Sequence, residues 1–232
     1  MKIAIMQPYF FPYIGYWQLI NAVDRFVIYD DVNYINRGWI NRNNILVNGK
    51  ANYINIKMYK ASQNKLINEI SIFEDKVYIE KLLKTIKNSY KKAPYFEEVF
   101  SKIEETMNKD EINLSRFLTY SIKQVCDFLK INAQVLLSSE IKKDNNLRGQ
   151  AKIIEICKKL NATKYINAIG GIELYSREDF QREGIELKFL KTNPFTYKQY
   201  ENEFVPNLSI IDVMMFNSHS DIKKMLDNYE LL

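Results

Sequence analysis

The chain opens on a short continuous apolar run, Ile3-Ala4-Ile5-Met6, the pattern of a strand buried on both faces. It stops at Gln7-Pro8. After an aromatic stretch from Tyr9 to Pro12, Ile14 to Val23 carries apolar positions at helical spacing. Phe26-Val27-Ile28-Tyr29 is then a second buried run, ending at Asp30-Asp31. From Tyr53 to Met58 the pattern alternates, with Ile54, Ile56 and Met58 on one face, which predicts a half-exposed strand at an edge or in an antiparallel pair. Residues 77–90, 94–107 and 113–130 read as three charged, amphipathic helices. Strands and helices then alternate: strand Gln134–Leu137, helix 147–160, strand Lys164–Ala168, helix 171–183 and strand Glu186–Leu190. Phe204 to Phe216 is harder to place, and a last helix is predicted from about Ser220 to Tyr229.

Two consecutive βαβ units imply a parallel sheet. The expected architecture is one α/β domain over residues 1–232, with a Rossmann-like, mostly parallel sheet flanked by helices and a helical insertion at about 75–131. In such a sheet ligands bind outside the carboxyl ends of the strands. The residues just beyond the predicted strand ends are Gln7-Pro8-Tyr9, Asp30-Asp31, Ser138-Ser139 and Gly170-Gly171, which should converge on one rim.

Composition narrows the class. With 232 residues, 47% hydrophobic, 26% charged, 7 Gly and 5 Pro, the chain is neither a disulfide-stapled miniprotein nor disordered or collagenous. Cys126 and Cys157 sit in apolar runs and read as buried thiols of a reducing compartment. One His and two separated Cys make no metal signature, so zinc is not expected. No apolar stretch reaches the roughly 18–20 residues that span a bilayer, and the first residues lack a signal-peptide pattern. A cytoplasmic protein without membrane insertion is expected. The net charge of +5 is local: residues 141–164 hold seven Lys or Arg against two Asp or Glu, and the rest of the chain balances. On the helix 147–160, Arg148, Lys152, Glu155 and Lys159 take one side, and Ala151, Ile154, Cys157 and Leu160 the other. The basic side is either a solvated face or a contact for phosphate or RNA.

Several groups on or near the rim bear chemistry. Gly170-Gly171 leaves the backbone open to a ligand or is an ordinary βα turn. Asp30 and Asp31 suit a metal, a proton from an attacking amine or sugar hydroxyls. Side-chain alternation directs only one of them to the site. Arg37-Gly38-Trp39-Ile40-Asn41-Arg42-Asn43 combines two guanidinium groups, an indole and amides, a set suited to phosphate plus a stacked ring or sugar face. Among the N-terminal aromatics, Phe10, Phe11 and Trp17 read as core, and Tyr9 and Tyr16 as rim. His219, the only histidine, is expected just before a helix capped by Ser220, and is also the usual kind of general base near neutral pH.

Met6-Gln7-Pro8-Tyr9-Phe10-Phe11-Pro12-Tyr13-Ile14-Gly15-Tyr16, with Tyr29-Asp30-Asp31-Val32 and Gly38-Trp39-Ile40-Asn41-Arg42-Asn43, closely resembles the opening of the WbqC-like family of bacterial proteins. Tyr90 to Phe96, Gly170-Gly171 with Leu174-Tyr175, Gly184-Ile185 and Phe204 to Asp212 also resemble family segments, so the likeness covers nearly the whole chain. Gly15 and Tyr175 join the candidate binding residues on this basis. Ser218 departs from the pattern, which has Gly after Asn217. The resemblance implies a place in O-antigen or other surface-polysaccharide synthesis, and transfer of glycine or another acyl group to an amino sugar.

The expected reaction is attack of the amine of a nucleotide-linked amino sugar on an activated acyl or aminoacyl donor, an aminoacyl-tRNA or a thioester. Asp31 takes the proton, with Asp30 or His219 as alternatives. Gln7, Pro8, Tyr9, Gly15, Tyr16, Arg37, Trp39, Asn41, Arg42, Ser138, Arg148, Gly170, Gly171 and Tyr175 make up the binding set. Two other readings stand beside it: a nucleotide-activating or nucleotidyl-transfer enzyme, and a non-catalytic sugar- or nucleotide-binding protein of the same pathway.

Overall fold

The computed structural model describes residues 1–201 and 203–232. Strand β1 (Lys2–Met6) leads through helix α1 (Ile14–Asn21) to β2 (Arg25–Ile28), lying parallel beside it. A hairpin of β3 (Arg42–Val47) and β4 (Lys50–Asn55) follows, then a second small pair of β5 (Met58–Tyr59) and β6 (Ser71–Ile72). The alternation seen from Tyr53 thus ends one strand at Asn55 and begins another at Met58, and both pair antiparallel away from the main sheet.

Helices α2 (Lys76–Tyr90), α3 (Phe96–Met107) and α4 (Leu114–Leu129) fill the middle of the chain. Asp75 and Asn113 start α2 and α4 by accepting the backbone N–H of Tyr78 and Arg116. Lys130, left-handed at φ 57°, ends α4. The sheet then resumes with β7 (Gln134–Leu137), α5 (Gly149–Lys159), β8 (Lys164–Ala168), α6 (Arg177–Arg182) and β9 (Glu186–Thr192). Helices α7 (Ile210–Phe216) and α8 (His219–Leu226) precede β10 (Tyr229–Leu231).

The sheet order is β10-β9-β8-β1-β2-β7, parallel except for the antiparallel edge strand β10. Period-two alternation divides its side chains between two cores. Ala4, Phe26 and Ile28 face α1, α4, α7 and α8, while Ile3, Ile5 and Val27 face Ile153, Ile156 and Cys157 of α5 and Phe180 of α6. Burial on both faces explains why the central strands read as continuous apolar runs.

Three local expectations change. Ile169–Leu174 is a 3-10 turn, and Ser176 caps a shorter α6 in place of one helix over 171–183. Ser218, not Ser220, caps α8, so His219 is its first residue. Helix α5 buries Ile153, Ile156, Cys157 and also Lys152, while Ala151 is exposed. Lys152 is drawn inward by a carboxylate on β2's extension, a partner that helical periodicity cannot show.

Candidate functional site

The predicted strand ends do share one rim, because β1, β2, β7 and β8 are parallel and adjacent in the sheet. From β1 the chain passes to β2 on one side, and after β7 it crosses back through α5 to β8 on the other. The gap between β1 and β8 is therefore the switch point, where an open α/β sheet forms its ligand crevice. A crevice of about 550 Å³ lies there, lined by Met6, Tyr9, Gly15, Gly170, Asn193 and Phe195 among others. A Cβ on Gly15 would strike the Tyr13 ring, so glycine lets that ring lie over the start of α1 as a wall. At Gly170 a Cβ would meet nothing within 4 Å, leaving open space on the β8 side. Tyr9, half-buried, lines the crevice. Tyr16 is 2% exposed and donates its hydroxyl to the Gln7 carbonyl at 3.0 Å, bracing the rim from behind, and Pro8 is buried beside it.

The far wall, residues 193–201 with Phe204–Leu208, hangs on a buried carboxylate absent from the sequence-derived set. Asp212, fully buried, accepts from the hydroxyls of Tyr90 at 2.8 Å and Tyr197 at 2.6 Å, and from the Gln199 amide at 2.7 Å. Gln199 also clasps Val205, donating to its carbonyl and accepting its N–H. Burial raises the Asp212 carboxyl above its ordinary range, against the pull of the three donors. The available signal was an acid inside the apolar run Ile210-Ile211-Asp212-Val213-Met214.

Asp30 and Asp31 do different work. Asp30, 1% exposed, accepts from the Ser115 hydroxyl at 2.8 Å, the Ser139 hydroxyl at 2.8 Å and the Ser139 backbone N–H at 3.0 Å. It ties the end of β2 to α4 and to the turn after β7. Asp31 faces a separate cavity of about 380 Å³ that also touches Tyr29, Asn68, Arg148 and Lys152. Its Oδ2 is shared by Lys143 at 2.8 Å and Lys152 at 3.0 Å, and Lys152 also donates to the Asp31 carbonyl at 2.9 Å. Burial pushes the Asp31 carboxyl up, but Lys143, the neighbouring Ser138 hydroxyl and Lys152 together outweigh it and hold the group below its usual range. Such a carboxylate is a weak proton acceptor. Neither lysine stood among the sequence-derived site residues. Arg148 is exposed, with its guanidinium folded onto the Asn145 and Leu147 carbonyls.

The Arg37–Asn43 stretch is largely engaged within the protein, Asn43 donating to the Phe10 and Phe11 carbonyls. Arg42 donates to the Arg37 and Gly38 carbonyls and covers the Tyr53 ring at 4.6 Å, closing the loop that holds exposed, left-handed Arg37. Asn41 accepts from Tyr34 and donates to the Ile56 carbonyl. Trp39 is the free member: 42% exposed, it lines a shallow pocket of about 270 Å³ that shares Tyr9, Tyr13 and Asn207 with the switch-point crevice. Gly171 is buried where a Cβ would collide with the Asn167 amide. Tyr175 packs edge-on against Tyr165 and Phe180, away from the crevice lining.

His219 does not join the aspartates. Its ring lies tilted against Phe128, centroids 4.6 Å apart, and 4.0 Å from Glu98. Asp30 is bonded to Ser115 at the start of α4, and Phe128 is thirteen residues further along that helix, about 20 Å at 1.5 Å per residue. Burial pushes both cysteine thiols up to about 12. Among the described residues no cluster of three or more His, Cys, Asp or Glu could hold a metal, and no helix is long and apolar enough to cross a membrane.

The model of the WbqC-like protein family matches residues 7–224, from the Gln7 rim through α8. A protein of Mycobacterium tuberculosis (strain ATCC 25618 / H37Rv), named Uncharacterized protein Rv1507c, is 25% identical over 219 residues, covering 93% of each chain. No solved structure gives a significant match. The match takes in the aromatic loop after β1, the acidic end of β2, the glycine turn after β8 and the Asp212 wall, and on that span the chain belongs to the WbqC-like protein family.

Proposed function

We propose that the protein is a transferase of surface-polysaccharide synthesis that attaches glycine or another acyl group to the amine of a nucleotide-linked amino sugar. The observation that carries this reading is the switch-point crevice. At about 550 Å³ it has the size of a small-molecule site, and it continues past Tyr9 and Tyr13 to the Trp39 face. Aromatic faces beside a glycine opening suit a ligand with a sugar ring and a flat base.

The chemistry is aminolysis: the amine nitrogen attacks the activated carbonyl, the leaving group departs and the amine releases a proton. Asp30 is sealed by three donors, Asp31 is held acidic by two lysines and His219 is remote, so none of the three serves as base. An amine with a pKa of about 8 is already partly neutral near pH 7, and the open crevice admits water as the proton's destination. The donor favoured here is a small thioester or adenylate. Lys158, Lys159 and Lys164 pair with Glu183, Glu155 and Glu186, and Lys143 and Lys152 are buried, so the basic segment offers no continuous face to a tRNA.

The test is incubation with a panel of nucleotide-linked amino sugars and acyl donors, read by mass. A product heavier by one acyl group, lost in a Gly170→Leu variant whose side chain fills the crevice, is the expected result. Ligand binding without a mass change would replace the reading with the non-catalytic one, and release of pyrophosphate with the nucleotidyl-transfer one.

A further inference from the structure

We propose that the cavity between Arg148, Lys152 and Asn68, at the carboxyl ends of β2 and β7, is a binding site for a phosphate group. Two lysine ammoniums, 1% and 3% exposed, share a single carboxylate oxygen of Asp31. The three donors on the neighbouring Asp30 are neutral and cancel none of its charge, so two carboxylates stand against two ammoniums and Arg148 at the rim is the further cation. The cation left over is that of Arg148, which suits an anion from outside, seated on the Arg148 and Lys152 side and away from Asp31 Oδ1 and Asn68 Oδ1, which have no partner among the described residues.

Lys152 supplies the floor. Its ammonium has three N–H donors. Among the described residues two go to the Asp31 carbonyl and carboxylate, and the ammonium also sits 5.3 Å from the Tyr29 ring centroid, in the lining of the cavity. One donor is left for a ligand. Arg148 stands at the rim, and among the described residues only one of its guanidinium nitrogens is committed, to the Asn145 and Leu147 carbonyls. Phosphate oxygens are the acceptors that an arginine fork and an ammonium bind together.

The start of α5 adds to the same field. Arg148 is its N-cap residue and makes no side-chain cap, and the first turn holds no acid. The first turn of α5, the positive end of its dipole and two cationic side chains therefore border one cavity, with the Asp31 carboxylate as the anion already there. Gly149, left-handed at φ 51°, has nothing within 4 Å of where a Cβ would be, so the backbone there is open to close approach.

The site does not depend on the transferase reading. It lies on the same rim, with β1 between β2 and β8 and neighbouring strands about 4.8 Å apart. The phosphate could thus arrive free or as part of a nucleotide-linked ligand whose sugar occupies the crevice.

Titration calorimetry on the full chain in phosphate-free buffer separates these cases. The probes are inorganic phosphate, pyrophosphate, UDP and a UDP-linked amino sugar. Saturable binding of at least one is expected, weakened by added salt through screening. Equal affinity for inorganic phosphate and UDP assigns free phosphate, and binding of the diphosphates alone assigns a carried one. Arg148→Gln, a surface change that spares the fold, should weaken binding about tenfold, the loss of one charge-assisted hydrogen bond, and Lys152→Met by at least as much. Gly170→Leu should leave pyrophosphate binding intact. The proposal is overturned if none of the four binds, or if Arg148→Gln binds them all as the wild type does. Phosphate binding without any acyl transfer would instead count against the transferase reading alone.

Discussion

Replacing Asp31 by Asn tests whether this carboxylate is structural or catalytic. It is 11% exposed, and its Oδ2 lies 2.8 Å from Lys143 and 3.0 Å from Lys152. At an effective dielectric of about 20, each contact is a gross attraction of about 6 kcal/mol. Desolvation of the three groups offsets much of that, and the measured consequence of removing one partner from a buried ion pair is about 3–5 kcal/mol, because the remaining charge is stranded. Here two ammoniums are stranded at once. Against a total stability of about 5–15 kcal/mol, and a urea slope of about 2–3 kcal/mol/M, the midpoint should fall by about 1–2.5 M.

The assay is urea unfolding followed by circular dichroism, repeated across pH. In the wild type the folded Asp31 is more acidic than the unfolded one, whose ordinary value is 3.8. Its contribution is therefore fully present above that value and is lost as pH falls through the depressed folded one. Asp31→Asn should show a shallower acid limb. Adding Lys143→Met to Asp31→Asn should recover part of the loss by removing one stranded cation. An Asp31→Asn protein that unfolds within about 0.5 kcal/mol of the wild type, yet transfers no acyl group, would refute this reasoning and return Asp31 to the role of general base.

Tyr197→Phe deletes the 2.6 Å donor to buried Asp212 and should cost about 1–3 kcal/mol. It should also speed hydrogen exchange at the Val205 amide, which Gln199 holds, while unchanged exchange would mean that the wall does not hang on Asp212. Cys126 and Cys157, with thiols pushed up to about 12, should resist iodoacetamide at pH 8 in the folded protein and react once it is unfolded. Mass spectrometry would detect an early adduct that contradicts this. His219→Ala should leave acyl transfer unchanged and stability within about 1 kcal/mol, since the ring is exposed, leans on Phe128 and lies 4.0 Å from a similarly exposed Glu98. A large fall in turnover would restore a catalytic role.

Elements whose signal is local were legible. Ile3-Ala4-Ile5 and Phe26-Val27-Ile28 read as strands buried on both faces because each side chain meets a core, and the polar residues after them mark the rim because chain polarity places them there. The last helix, expected from about Ser220 to Tyr229, ends at Leu226, and Tyr229 instead opens the edge strand Tyr229–Leu231, too short to show a period of its own and existing only through its pairing with Thr192, Lys191 and Leu190. The Arg37–Asn43 stretch has the right groups for phosphate, but a loop of this length lets Arg42 satisfy itself on neighbouring carbonyls.

By itself the sequence determined the parallel core of the sheet, its family and the set of residues at the strand ends. These follow from hydrophobic period and chain order, which are properties of short segments. Only the tertiary structure decided what those residues do. Asp30 and Asp31 are adjacent and chemically identical, yet one is sealed by serines and the other flanked by lysines, because the backbone alternation turns them toward different neighbours. Their partners lie from 85 to 121 residues away, and Asp212 meets Tyr90 across 122. Charge pairing at such separations depends on which helices the fold brings together. Pattern along the chain could show Lys152 only as one more cation on an amphipathic helix, and packing made it the floor of a cavity.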